Sequence, residues 1–259
     1  MIELLEGAAG VGAVAWYLSS FYVGVRLLAF GIRSDNAPAR WIGTYLFFAM
    51  GLGSVFYMLG ALRSVVTGEP MTDLERVMIA MHFVATLVAN YGLATFTQRV
   101  FRRESTIARV VVWLMLGILA AGAVGHALTT RFSPSFESAW GGAYLVVPVL
   151  SNLWTAAESL AYHGLMRRRL AVGLGDPQIA NRFLLYGIGA ATAAVLLSIN
   201  VVELQIMERL NPGWNDGLRV VSLASMAVLG LVCAAAYLFA FFPPRWYARR
   251  LVAPDASEA

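Results

Sequence analysis

Residues 110–129 read VVVWLMLGILAAGAVGHALT, twenty residues without a formally charged side chain. A hydrocarbon core of roughly 30 Å is crossed by about 20 helical residues, so this stretch reads as a membrane span. The same pattern recurs on either side of it. Spans are predicted at about 9–31, 41–64, 77–99, 109–129, 141–166, 183–207 and 218–242. Turn formers punctuate them: Asn36–Pro38, Gly68–Pro70, Ser133–Pro134, Gly175–Pro177, Asn211–Gly213 and Pro243–Pro244. The expectation is an all-α polytopic membrane protein, a single seven-transmembrane-helix bundle over 1–259 with a short cytoplasmic tail at 248–259. Composition agrees, with 59% hydrophobic and only 13% charged residues, against roughly 25% charged in soluble domains.

Every basic side chain other than histidine is an arginine, since lysine is absent. A covalent retinal pigment needs a lysine amine for its Schiff base, so that cofactor is excluded. The arginines also set direction. Arg33, Arg40, Arg99, Arg102, Arg103, Arg109, Arg167, Arg168, Arg169, Arg182, Arg245, Arg249 and Arg250 follow the odd-numbered spans or precede the even ones. Arg63, Arg76, Arg131, Arg209 and Arg219 lie on the other side. The positive-inside rule then places the N-terminus outside and the C-terminus in the cytoplasm. It also accounts for the net charge of +4 without a nucleic-acid partner. The first residues, with Glu3 and Glu6 and no basic run, do not resemble a cleaved signal, so the first span is expected to be retained. Cys233 stands alone, which leaves no intrachain disulfide.

Polar residues inside the spans carry whatever chemistry the chain has, because ionisable groups in hydrocarbon are costly. His82, Thr86, Asn90 and Thr97 share a face of the third span. Ser151, Thr155, Glu158, Ser159 and Tyr162 share one on the fifth, with Asn152 at its margin, and Thr192, Asn200 and Glu203 one on the sixth. These stripes are expected to turn inward, where hydroxyls and amides either hold helices together or form a site. Glu158 lies about two turns from its span end and must be protonated, hydrated or paired; Arg26 is the candidate partner on depth alone. Nearer the outer side, His82, His126 and Glu203 form a candidate metal set or, with Asn200, a ligand-binding or proton-sensing cluster. The competing reading is that each answers a helix-end group independently. Pro148 invites a bend in the fifth span. Gly51, Gly53, Gly122 and Gly125 permit close helix approach. No Gly-x-Ser-x-Gly, phosphate loop or His-Glu-x-x-His occurs, so nothing points to an enzyme.

Two cytoplasmic edges carry distinctive text. The first is Tyr162-His163-Gly164-Leu165-Met166-Arg167-Arg168-Arg169-Leu170, then Gly173-Leu174-Gly175-Asp176-Pro177 and Asn181-Arg182-Phe183; the second is Phe241-Phe242-Pro243-Pro244-Arg245-Trp246-Tyr247. With these edges the chain resembles the seven-helix membrane modules of uncharacterised bacterial sensor proteins. The resemblance implies a multi-pass module of the bacterial inner membrane that senses a small or lipidic ligand, or protons. His82, His126, Asn200 and Glu203 would bind, and Glu158, Asn90 and Arg26 would couple. About a dozen residues follow Tyr247, so the signal would leave through a partner docked on the arginine-rich loops. A small transporter or channel using Glu158, a redox protein using the two histidines, and a non-catalytic accessory subunit are the alternatives.

Overall fold

A computed structural model describes residues 2–133, 139–201 and 215–252, and among these there is no strand. Helix α1 is Ile2–Arg33 and α2 is Ala37–Leu46. Asn36 starts α2 by accepting the Ala39 N–H at 3.0 Å, with Pro38 in its first turn. From Leu46 the chain widens into a π-helical stretch, Phe47–Gly53, before α3, Ser54–Thr67. Gly68, at a φ of 69°, stops α3 in the left-handed conformation that glycine adopts freely. Thr72 and Glu75 then form a capping box on α4, Asp73–Phe101. Arg63 fixes this turn by donating to Glu75 through Nε (2.7 Å) and Nη2 (2.8 Å), and it also bonds Glu69.

Helix α5, Thr106–Thr130, is capped by Ser105 on the Ala108 N–H. Then come α6 (Ala139–Ala171), α7 (Pro177–Val201), α8 (Asn215–Phe241) and a short α9 (Arg245–Val252). Tyr247 on α9 donates to Asn181 Oδ1 at 2.9 Å, tying that helix to α7.

The helices close into a ring. Helix α1 packs on α2, α2 on α4, α4 on α6, α6 on α7, α7 on α8, and α8 returns to α1, with α5 braced outside against α4 and α6. Two apolar clusters fill it. One gathers Trp16, Tyr45, Leu93, Tyr186 and Tyr237; the other gathers Ile79, Phe83, Leu119, Tyr144 and Val147. The polar faces of the third and fifth expected spans turn inward, with Asn90 and Thr97 buried and Ser151, Asn152, Thr155 and Ser159 fully so. Outside, α5 alone exposes Ile107, Trp113, Leu114, Ile118, Val124 and Leu128. An apolar exterior around a polar-striped interior is what lipid, not water, solvates.

Among the described residues, six helical segments are long and apolar enough to cross a membrane: Leu4–Arg33, Ala37–Ser64, Asp73–Phe101, Thr106–Thr130, Pro177–Ile199 and Val220–Phe241. The remaining expected span, 141–166, lies within α6, which is 33 residues long but diluted by its polar stripe and arginines. The second span differs most from a plain helix, since it is assembled from α2, the π-helical stretch and α3.

Small residues set a close crossing between α1 and α8. A Cβ on Gly230 of α8 would fall 2.6 Å from the Gly12 carbonyl oxygen of α1, whereas Gly117 on α5 has nothing within 4 Å. Gly230→Ala is therefore expected to cost about 1–3 kcal/mol through overpacking and to lower the thermal midpoint in detergent. Gly117→Ala should leave it unchanged or slightly raised; equal shifts for the two would contradict so tight a crossing.

Candidate functional site

Between α1, α2, the π-helical stretch, α4 and α6 lies a cavity of about 270 Å3, reached also by Leu197 of α7 and Met226 of α8. Its polar wall comes from α4, where His82, Thr86 and Asn90 follow one another at four-residue spacing, one turn apart on a single face. Opposite stand Tyr144, Pro148 and Asn152 of α6, again spaced by four. Trp16 and Tyr17 of α1, Tyr45 of α2 and Tyr57 of α3 supply further aromatic walls.

The hydrogen bonds of this wall are specific. Tyr45 Oη donates to Asn152 Oδ1 at 2.9 Å, and Asn152 Nδ2 donates to the Pro148 carbonyl at 2.8 Å. Proline has no N–H to give the carbonyl one turn earlier; the Asn152 amide adds a side-chain donor on the proline's own carbonyl, not on that one. His82 Nδ1 lies 2.9 Å from the Gly53 carbonyl oxygen at the end of the π-helical stretch. A carbonyl only accepts, so in the neutral ring Nδ1 carries the proton and Nε2 the lone pair. The ring is packed by Tyr57 at 5.3 Å and Tyr144 at 6.2 Å between centroids. Asn90 Nδ2 donates to the Thr86 carbonyl at 2.9 Å, while its Oδ1 is buried without a hydrogen-bond partner among the described residues.

The expected site residues do not all meet here. His82 and Asn90 line the cavity, but His126 does not. His126 is fully buried on α5, stacked on Phe83 at 5.1 Å, with Nε2 2.9 Å from the Ser133 carbonyl. The two histidines thus each serve a different backbone carbonyl, with Phe83 in contact with both rings. Glu203 and the side chain of Asn200 lie outside the described residues, and among those described no three His, Cys, Asp or Glu side chains group to hold a metal.

Glu158 is not paired with Arg26. Its Oε1 accepts from Arg102 Nε at 2.7 Å and from Trp154 Nε1 at 3.3 Å. Arg102 caps the C-terminal end of α4, which packs directly on α6. Arg26 instead places its guanidinium over the Phe242 ring, 5.4 Å from the centroid. Depth along the span matched Arg26 with Glu158, but α1 and α6 are not neighbours in the ring. Farther along the same α4–α6 seam, the Thr97 and Thr155 hydroxyls meet at 2.7 Å.

Sequence reading missed the aromatic half of the cavity. Trp16, Tyr17, Tyr45, Tyr57 and Tyr144 look like span-end anchors until the ring order brings them together. Asn152, placed at the margin of its stripe, faces the cavity beside Tyr45.

The Tyr45–Asn152 bond is testable by a double-mutant cycle with Tyr45→Phe and Asn152→Leu. A coupling of about 0.6–1.7 kcal/mol, the range measured for hydrogen bonds between membrane helices, is expected in unfolding experiments; additive effects would mean the bond contributes nothing. Comparison with known protein families, with curated proteins and with solved structures gives no match for this chain, so its function is argued from this geometry.

Proposed function

We propose that the chain is a receptor-like sensor module of the bacterial inner membrane that binds a small ligand in the cavity between α4 and α6 and signals through a separate partner. The observation that carries this reading is the cavity itself, about 270 Å3 with aromatic walls and a few convergent polar groups. Ligand sites in proteins have this character: concave, mostly apolar, with few polar groups that fix orientation.

Seven spans with the N-terminus outside fit best. At about 1.5 Å per residue, the 33 residues of α6 exceed a bilayer core. Its outward face is apolar, with Val146, Leu150, Leu153 and Leu160 exposed at helical spacing. The arginine-rich segments then fall on one side, which becomes the cytoplasmic docking surface for a partner. The cavity residues His82, Tyr57 and Trp16 belong to the outward half, and Asn90 and Asn152 reach the middle. Binding there biases the bundle between two packings, and the π-helical stretch in the cavity wall is the element suited to change register. A transporter working through Glu158 has less support, because Arg102 and Trp154 already occupy that carboxylate.

The test uses lipid nanodiscs and 1-naphthol, a neutral bicyclic probe of suitable size. Saturable binding should raise the unfolding midpoint, by an amount equivalent to about 2.7 kcal/mol at a hundredfold excess over Kd. Ala49 is a small lining residue, and Ala49→Phe should abolish the rise while the helical circular dichroism is kept. A rise that survives the filled cavity, or none in either protein, would sink the assignment.

A further inference from the structure

Resting on the reading of this cavity as the ligand site, we infer that its ligand is an uncharged, largely apolar molecule bearing a hydrogen-bond donor, a phenolic or alcoholic hydroxyl, which Asn90 Oδ1 accepts. Three observations converge on that class.

The first is charge. Among the described residues no Asp, Glu, Lys or Arg lines the cavity. Histidine is the side chain whose charge changes near neutral pH, and His82 is the one that lines this wall. A carboxylate or a phosphate would arrive without a counter-ion, and a buried unpaired charge is strongly disfavoured.

The second is the balance of donors and acceptors. The Tyr45 hydroxyl is spent on Asn152, and the Asn152 amide nitrogen on Pro148. The Asn90 amide nitrogen is spent on the Thr86 carbonyl. Because a carbonyl cannot donate, that bond fixes which end of the Asn90 amide is which. On α4 what remains is Asn90 Oδ1, in a residue only 2% exposed and with no partner among the described residues; from α1, Trp16 Nε1 is a donor in the same position, which the oxygen of a ligand hydroxyl answers while its hydrogen goes to Asn90. His82 Nε2, with Nδ1 engaged by Gly53, is likewise an acceptor in the neutral ring. The vacancy on Asn90 therefore asks for a donor. Buried polar side chains are satisfied in the large majority of native proteins, so an orphaned carbonyl beside a cavity marks where a ligand atom belongs.

The third is shape. A volume of about 270 Å3 lies just below the roughly 300–1,000 Å3 of pockets for drug-sized molecules. Flat aromatic walls from Trp16, Tyr17, Tyr57 and Tyr144 favour a ring stacked or packed edge-on. A quaternary ammonium would also find aromatic faces, but it has no donor for Asn90 and no carboxylate to balance it.

The experiment compares four probes that share one ring system: 1-naphthol, naphthalene, 1-naphthoate and trimethyl(1-naphthylmethyl)ammonium. Binding is measured in nanodiscs and corrected for partition into empty discs, with wild-type protein and Asn90→Leu. The expected result is that wild type prefers 1-naphthol over naphthalene by about tenfold, the worth of a net hydrogen bond, and binds both ions more weakly. Asn90→Leu should bind the two neutral probes equally, its retained naphthalene affinity showing that the cavity is intact. Equal binding of 1-naphthol and naphthalene by wild type would overturn the donor inference while leaving the cavity as a ligand site. So would preference for either ion, or a 1-naphthol preference that persists in Asn90→Leu. Failure of all four probes to bind would instead overturn the ligand-binding reading on which the inference rests. Should Asn90→Leu not fold, the selectivity order of the wild-type protein still decides.

Discussion

Hydrocarbon offers no hydrogen bonds, so each polar side chain of this bundle has to be answered from within. Most of that demand is met along the seam between α4 and α6. Thr97 meets Thr155, the Thr155 hydroxyl also reaches the Ser151 carbonyl, and Arg102 closes the seam on Glu158. Tyr45, reaching in from α2, answers Asn152. The ring of helices is thereby registered by polar contacts, while the apolar clusters supply its bulk. Along this seam Asn90 Oδ1 and Ser159 Oγ are buried without a partner among the described residues, and Asn90 is the one of the two that borders an open volume. Its meaning comes from the company it keeps, since an orphan in a poorly paired interior would signify little.

The π-helical stretch Phe47–Gly53 belongs to the same economy of hydrogen bonds. A wider turn displaces backbone groups from the regular helical ladder, and such insertions occur mostly as single turns, often at functional sites. Here the Gly53 carbonyl at its end is taken by His82 of α4. Ala49 and Met50 from the stretch, with Ser54 just beyond, form part of the cavity wall. One histidine thus joins the irregular backbone of the second span to the polar face of the third.

What the sequence made legible were properties that depend on one helix at a time. Twenty apolar residues specify a span whatever its neighbours, and the three- and four-residue spacing of Ser151, Thr155 and Ser159 specifies a face. The structure has six helices of that length and apolarity among its described residues, and it buries that face. Properties that need the azimuth and order of helices were not legible. Arg26 and Glu158 sit at comparable depth, yet depth says nothing about which side of the ring a helix occupies, and each found a different partner. His82 and His126 are likewise near in depth but turn to separate carbonyls. The aromatic walls escaped for the same reason, because Trp16, Tyr45 and Tyr144 come from three helices whose adjacency is a long-range packing fact. Gly51 and Gly53 announce close approach, and Gly51 does abut the Phe21 ring; nothing in their spacing announces a π-turn.

Helix α6 shows how averaging over a helix hides its function. Taken as a string, its 33 residues are less apolar than the other long helices, since Ser151, Asn152, Thr155, Glu158 and Ser159 fall in one stretch. Taken as a cylinder, it is sharply divided: Val146, Leu150, Leu153 and Leu160 face outward and are exposed, whereas the polar set is buried or, for Glu158, ion-paired. A helix that faces lipid on one side and a polar seam on the other must look ambiguous by mean hydropathy. The same division places Pro148 and Asn152 at the cavity, where the Asn152 amide donates to the Pro148 carbonyl. The least apolar of the long helices is therefore also one with four polar side chains fully buried within nine residues, because both facts follow from the residues it turns inward.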